Sequence, residues 1–370
     1  MIIHDNDKIS SFQVFILNLS VIIGVGILTM PAAITKFAKT DAWLSLTIGA
    51  LLSVLLFLFL FKVSQLNPDV TLVEIMNNAF GKVISIILSF IYVIYFLILI
   101  AIEARVVADT TKEFIFELTP VEVLIIIYLF TCSYITRYGI EAVARICEIL
   151  MPLVIIIIPL LTIFIYSKLD FTRLLPILTT KWTDIVKGSF TTIFSFIGYE
   201  IILFLSPYIR RKEKVVKYSL ASFLIIFFIY ELLLVFSIAD FGVKELQIMS
   251  WPTMSLLRDV TALEVVIERP EIFIITFWLI SAYTTTIIAI IINAIILARI
   301  FNTKEHNFFV FAQIPLVYII NLIPSNYNET LKYQDIYSRT LGIAVLFVIP
   351  LITFFTFLIK NKLKKRGAKN

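Results

Sequence analysis

The sequence predicts an all-α integral membrane protein of about ten transmembrane helices, arranged as a 5+5 inverted repeat with helices one and six broken. Three observations predict it. The 370 residues are 60% hydrophobic and only 15% charged, and the mean hydropathy is +1.00, whereas soluble domains are about 45–50% apolar and about 25% charged. Apolar runs near the roughly 20 residues that cross a bilayer follow one another in series, leaving too little polar sequence to build a soluble surface. Glycines interrupt the first and sixth runs at matching places. This composition excludes secreted disulfide scaffolds, disordered chains and most cytosolic enzymes.

The runs lie near 11–34, 41–63, 82–108, 119–138, 141–166, 184–207, 214–240, 270–299, 308–324 and 337–360. They are read as one transmembrane domain over 1–370, with repeat one at about 10–166, repeat two at about 184–360 and a basic tail at 361–370. The first run is too long for a signal peptide and carries the wrong flanks, so the N-terminus is expected to be retained. In the third run, Glu103 and Arg105 fall about one bilayer thickness beyond Lys82 at 1.5 Å per residue, which places them at the outer interface. In the fifth, Arg145 and Glu148 are three apart on one face and are expected to pair. Glu231 interrupts the seventh run as a relay partner or a structurally paired acid. Cys132 and Cys147 sit within apolar runs and read as packing residues, silent on redox compartment.

Lysine and arginine set the orientation. With the N-terminus cytoplasmic, the inner segments hold Lys62 and Lys82, Arg137 and Arg145, the run Arg210, Arg211, Lys212, Lys214 and Lys217, then Arg299, Lys304 and the tail beyond Lys360. Both termini are therefore expected to be cytoplasmic. The formal charge of +5 reflects this asymmetry and attraction to the lipids of the inner leaflet, not nucleic-acid binding.

The chemistry is expected at the breaks. The first is Ile23-Gly24-Val25-Gly26-Ile27 with Pro31 beyond it, and the second is Phe196-Ile197-Gly198-Tyr199-Glu200 with Pro207 beyond it. Glycine weakens a helix by about 1 kcal/mol relative to alanine and lets a ligand or another backbone approach. Either site alone fits close helix packing; the pair, in opposite orientation, fits a small-molecule site in which freed N–H groups hold a carboxylate and freed carbonyls an ammonium. The candidate ligand-binding set is Gly24, Val25, Gly26 and Ile27 at the first break, with Phe194, Gly198, Tyr199 and Glu200 at the second. Tyr95 and Leu99 of span three join it, as do Tyr283, Thr284 and Thr285 of span eight, since these spans face the cavity in bundles of this kind. A threonine there can equally bond its own helix carbonyls. Glu200 is either a functional carboxylate or an acid hydrogen-bonded to a neighbouring helix. No phosphate loop, paired metal ligand or Ser–His–acid set is present, and His4 and His306 fall outside the runs. Neither enzyme activity, a metal nor a cofactor is expected.

The stretch from Ile22 to Pro31, followed by Asp41-Ala42-Trp43, resembles the start of the spore germination receptor B-subunit family. Glu268-Arg269-Pro270-Glu271, leading into span eight, is similar to that family's acidic-Arg-x-acidic signature, with Pro270 where an apolar residue is more usual. The resemblance covers essentially the whole chain and places it in the amino acid–polyamine–organocation permease superfamily. It implies a LeuT-like fold, the inner spore membrane, partner A and C subunits, and a small germinant such as an amino acid held against Gly24, Gly26, Ile27, Gly198 and Tyr199. Proton-coupled members often carry a lysine in span five; here none lies between Arg145 and Lys168. The readings that follow are a germinant sensor, a secondary amino-acid transporter, or a passive structural or channel component.

Overall fold

The computed structural model describes residues 7–24, 26–258, 270–303 and 305–367. Val25, His4, Lys304 and the Glu268-Arg269 part of the acidic signature lie outside the described residues. Among the described residues sixteen α-helices follow in order. The first repeat contains α1 (Ser11–Ile22), α2 (Gly26–Ala38), α3 (Ala42–Ser64), α4 (Leu72–Phe80), α5 (Lys82–Phe114), α6 (Val121–Thr136) and α7 (Ile140–Ile165). The second contains α8 (Trp182–Ser195), α9 (Ile202–Leu205), α10 (Val215–Leu246), α11 (Pro252–Arg258), α12 (Pro270–Ile300), α13 (Asn307–Ala312), α14 (Ile314–Asn321), α15 (Tyr327–Tyr337) and α16 (Ile349–Gly367). Two π-helical turns, Ser338–Gly342 and Ala344–Val348, join α15 to α16.

Among the described residues six helices are long and apolar enough to cross a membrane, and the bent pair Trp182–Ser195 with Tyr199–Tyr208 makes a seventh. The expected ten crossings require counting Ser11–Ile22, Val121–Thr136 and Asn307–Asn321 as well, all apolar but shorter than a full span. Among the six, α12 is the most enclosed; it packs on α1, α5, α6 and α7. Its central run Ile287–Ile292 is wholly buried, which explains why it is apolar on every face.

Small residues bring α3 and α8 to backbone contact. A Cβ on Gly49 would meet Thr192 Cβ at 2.4 Å, and one on Gly188 would meet Ser45 Oγ at 2.6 Å. Ser45 Oγ donates across this seam to the Ile185 carbonyl at 2.8 Å, so the second span is fixed against the first half of the sixth.

Contacts of Ile9, Tyr208, Arg299 and Lys360 gather at one end of the bundle. Ile9 N donates to the Tyr208 carbonyl at 2.8 Å and Arg210 N donates to the Ile9 carbonyl at 3.0 Å, an isolated parallel bridge between residues 9 and 209. Tyr208 meets Arg299, Arg299 pairs with Glu74 at 3.1 Å, and Lys360 Nζ donates to the Asn78 carbonyl at 3.0 Å. At the opposite end, buried Asp41 accepts three backbone N–H groups, from Leu178 at 2.5 Å, Thr179 at 3.0 Å and Thr180 at 2.8 Å. The Asp-Ala-Trp motif thus begins with a carboxylate that holds the 175–181 loop.

Two sequence expectations fail here. Glu103 and Arg105 are not at a solvated interface: they are 4% and 8% exposed. The count from Lys82 assumed that Lys82 marks the membrane edge, whereas α5 runs for 33 residues, about 50 Å, and residue 103 is level with the first break. Arg145 does not pair with Glu148. It pairs one turn back with Glu141 at 2.7 Å, while Glu148 accepts from Gln13 Nε2 of α1 at 3.1 Å.

Candidate functional site

A helix that stops inside a bundle leaves its last carbonyls without intrahelical donors. At the first break α1 ends at Ile22, and the Gly24 N–H turns back to the Ile22 carbonyl at 2.9 Å instead of bonding Ser20. The freed Ser20 carbonyl accepts from Thr285 Oγ1 at 2.7 Å. Ser281 Oγ, one turn earlier on α12, donates to the Ile23 carbonyl. Tyr230 OH of α10 donates to the Ile22 carbonyl at 2.9 Å and lies 3.3 Å from the Ser195 carbonyl at the second break. One hydroxyl has one proton, so it serves one of these carbonyls at a time. Pro31 lacks the N–H that would reach back to Ile27, and Thr253 Oγ1 of α11 takes the Ile27 carbonyl at 2.7 Å.

The second break turns on Gly198, whose φ of +128° suits only glycine. A Cβ there would stand 2.4 Å from Val21 Cγ1 and 2.9 Å from the Val21 carbonyl, so the two breaks touch, backbone against backbone. Glu200 is buried just beyond. One carboxyl oxygen accepts from Tyr95 OH of α5 at 2.5 Å and the other from the Gly198 N–H at 2.8 Å. The Tyr95 ring is stacked on Tyr337, with centroids 5.1 Å apart. In this geometry the acid caps its own break and ties it to α5.

The structure therefore brings together Gly24, Gly26, Ile27, Gly198, Glu200, Tyr95 and Thr285. Gly26 sits beside the second break, but its Cβ position is 3.8 Å from the Ser195 carbonyl, an ordinary contact. Other predicted residues face elsewhere. Tyr199 packs on Phe223 and Phe57, with centroids 5.6 and 6.5 Å away. Phe194 packs towards Gly342, 3.5 Å from where a Cβ there would be. Thr284 bonds the Ser281 carbonyl of its own helix at 2.8 Å and faces Met151. Leu99 and Tyr283 are only half-buried and make no polar contact with either break. Sequence reasoning missed Ser281, Tyr230, Thr253 and Glu103. A usable signal existed for two of them: Ser281 is four residues before Thr285, and Glu103 lies on the Tyr95–Leu99 face, one turn further on.

Glu103 is a second buried acid beside the breaks. Its Oε1 lies 2.8 Å from the position a Gly24 Cβ would take, and Thr285 Oγ1 lies 3.0 Å from the same point. The carboxyl group thus rests on the main chain of the first break because Gly24 has no side chain. A small apolar cavity of about 30 Å³ adjoins the break, lined by Ile23, Ile27, Val154, Thr253, Trp278 and Ser281 among others. Among the described residues no His, Cys, Asp and Glu cluster has the makings of a metal site.

Comparison with known proteins agrees with this architecture. The chain is 27% identical to spore germination protein A2 of Bacillus subtilis (strain 168) over 357 residues, covering 96% of this chain and 97% of that one. It is 25% identical to spore germination protein YndE of the same organism over 363 residues, 98% of each chain. Among solved structures it resembles Mhp1, a nucleobase-cation-symport-1 family transporter with bromovinylhydantoin bound, with a TM-score of 0.67 and 12% identity over 92% of this chain and 77% of that one. It also resembles MhsT in complex with L-phenylalanine, with a TM-score of 0.66 and 11% identity over 95% of this chain and 99% of that one. The fold is that of LeuT-type transporters, and the protein is an integral membrane protein. Residues 8–330 match the family described as spore germination protein, and the chain belongs to that family.

Proposed function

We propose that this protein is the membrane-embedded sensing subunit of a spore germination receptor. It binds a small germinant, an amino acid, at the paired breaks and signals to A and C subunits in the inner spore membrane. The observation that carries the reading is the contact of the two breaks, Gly198 against Val21, with their freed carbonyls converging on Tyr230. A ligand there touches both repeats at once and shifts the balance between their arrangements by its differential affinity. The cavity beside the first break is lined by Thr253 and Ser281, whose hydroxyls now serve break carbonyls, so a ligand entering it meets those hydroxyls first. The bundle end that bears Ile9 and Lys360 also bears Arg210, Arg211, Lys212 and Arg299, which supports a cytoplasmic assignment for it.

A second reading, secondary transport of an amino acid, is favoured by the transporter identity of the solved relatives. The two separate in liposomes bearing the purified protein, tested for binding and counterflow of a radiolabelled amino-acid panel. Saturable binding without exchange, lost on Gly24→Leu, is the result expected of a sensor. Saturable exchange makes the protein a transporter. No binding to any member of the panel overturns both readings.

A further inference from the structure

We propose that the face of α10 around Glu231 is a docking site for a transmembrane helix of another chain, one that carries a lysine or arginine at mid-membrane depth. The proposal needs no germinant and stands apart from the reading above. Leu220, Leu224 and Phe228 recur every four residues along α10 and are 38%, 56% and 61% exposed, so they form a ridge that faces lipid. Glu231 follows three residues later on the edge of that ridge, half-buried. A carboxyl group on a lipid-facing ridge is costly and rare, and such groups pair with an opposite charge or with a polar group on a neighbouring helix.

Two observations set its depth. Glu231 is fourteen residues after Lys217 and eleven before Gly242, where α10 kinks. At 1.5 Å per residue these are about 21 and 16 Å, each more than half of a hydrocarbon core about 30 Å thick. Independently of that count, the neighbouring Tyr230 donates to the Ile22 carbonyl at 2.9 Å, so this turn of α10 is level with the breaks. The membrane acid Glu200 is met inside the chain by Tyr95 and the Gly198 N–H. Glu231 is not: its Oε2 is enclosed and has no hydrogen-bond partner among the described residues. The chemistry of the missing partner follows from the charge. A guanidinium or ammonium group neutralises a carboxylate and donates to it, whereas a second copy would bring a like acid to the same face, and two adjacent carboxylates resist ionising together. A helix seated there bears on the turn that presents Tyr230 to the carbonyls of both breaks.

The test uses the full-length protein in phosphatidylcholine vesicles and energy transfer to synthetic transmembrane helices of leucine and alanine whose central residue is lysine, glutamine or leucine. The lysine helix should associate at least tenfold more tightly than the leucine helix, and at least threefold more tightly than the glutamine helix. Glu231→Gln should bring the lysine and leucine helices within threefold of each other. A photo-crosslinking side chain placed at Leu224 should capture the lysine helix, and one at Ile127 of α6, which is also exposed, should not. Equal association of wild type with the lysine and leucine helices, or a lysine preference that survives Glu231→Gln, overturns the proposal, as does capture from Ile127 as strong as from Leu224. Dimers of the protein that depend on Glu231 and that the lysine helix does not dissociate make a second copy the occupant, which overturns it too. Helicity and monodisperse elution equal to wild type establish that Glu231→Gln is folded.

Discussion

Adding one methyl group at Gly198 should damage ligand binding more than the same change at either glycine of the first break. The left-handed φ of +128° costs an L-residue about 1–3 kcal/mol. The new Cβ would also stand 2.4 Å from Val21 Cγ1 and 2.9 Å from the Val21 carbonyl, and overpacking of this kind costs about 1–3 kcal/mol. Main chain on both sides prevents easy relief, so Gly198→Ala should cost about 2–6 kcal/mol in all, at least ~30-fold in affinity if the break relaxes away from its binding geometry. At Gly24 the nearest atom is the mobile end of Glu103, 2.8 Å away, so Gly24→Ala should displace that carboxyl group and have an intermediate effect. At Gly26 the nearest atom is 3.8 Å away, and Gly26→Ala should bind within threefold of wild type. The assay is equilibrium binding of a radiolabelled amino acid to the three purified variants in nanodiscs. Wild-type affinity in Gly198→Ala, or Gly26→Ala as damaged as Gly198→Ala, would refute the steric reasoning.

Three further outcomes follow from the packing. Asp41→Ala removes the acceptor of three backbone N–H groups, each costing about 1–3 kcal/mol when left buried and unmet; limited proteolysis should cut the 175–181 loop far faster than in wild type. Gly49→Leu forces α3 off α8, since even its Cβ would meet Thr192 at 2.4 Å, and should lower the thermal midpoint, whereas a leucine at exposed Leu51 is already tolerated two residues away. His306 lies between α12 and α13; burial holds its imidazole below the ordinary value of 6.5, partly offset by Asp7 and Glu305 and reinforced by Arg299. The unfolded chain then binds a proton near pH 6.5 that the folded chain refuses, so thermal stability should fall as pH drops through that value. His306→Gln should flatten this dependence, and an unchanged slope would show that other groups set it.

What was legible in the sequence was legible because it is local. Glycines five spans apart locate the breaks, and Thr285 is a candidate because span eight faces the cavity in bundles with broken helices. Depth and rotation are not local. Glu103 was misplaced because counting residues from Lys82 gives distance along an axis, not the vertical offset of a 33-residue helix against its neighbours. Tyr230, Ser281 and Thr253 went unnoticed because a membrane hydroxyl that bonds its own helix and one that crosses to a broken helix have the same local sequence; only the packing of α10, α11 and α12 separates them. Arg145 shows the same limit at short range: two acids, Glu141 and Glu148, lie within a turn or so, and the pair that formed is the i,i+4 one. Tyr199 and Phe194 were grouped with the break by proximity in sequence, but their side chains leave it for the α3–α10 and Gly342 contacts.

The bridge between Ile9 and Ile209 has an evolutionary consequence. It straps the start of one broken span to the end of the other using amide groups alone, and every residue except proline supplies an amide N–H and carbonyl. The side chains of Ile9 and Ile209 take no part in the bridge itself; both are buried in the core, which constrains them to apolar residues and not to particular ones. A mechanical link of this kind leaves no polar signature in residue identity, and alanine at either position would report the lost core packing and not the link. It is found by inserting proline, or by backbone ester substitution, and a family diverging to about one residue in four can keep the same clasp under entirely different letters.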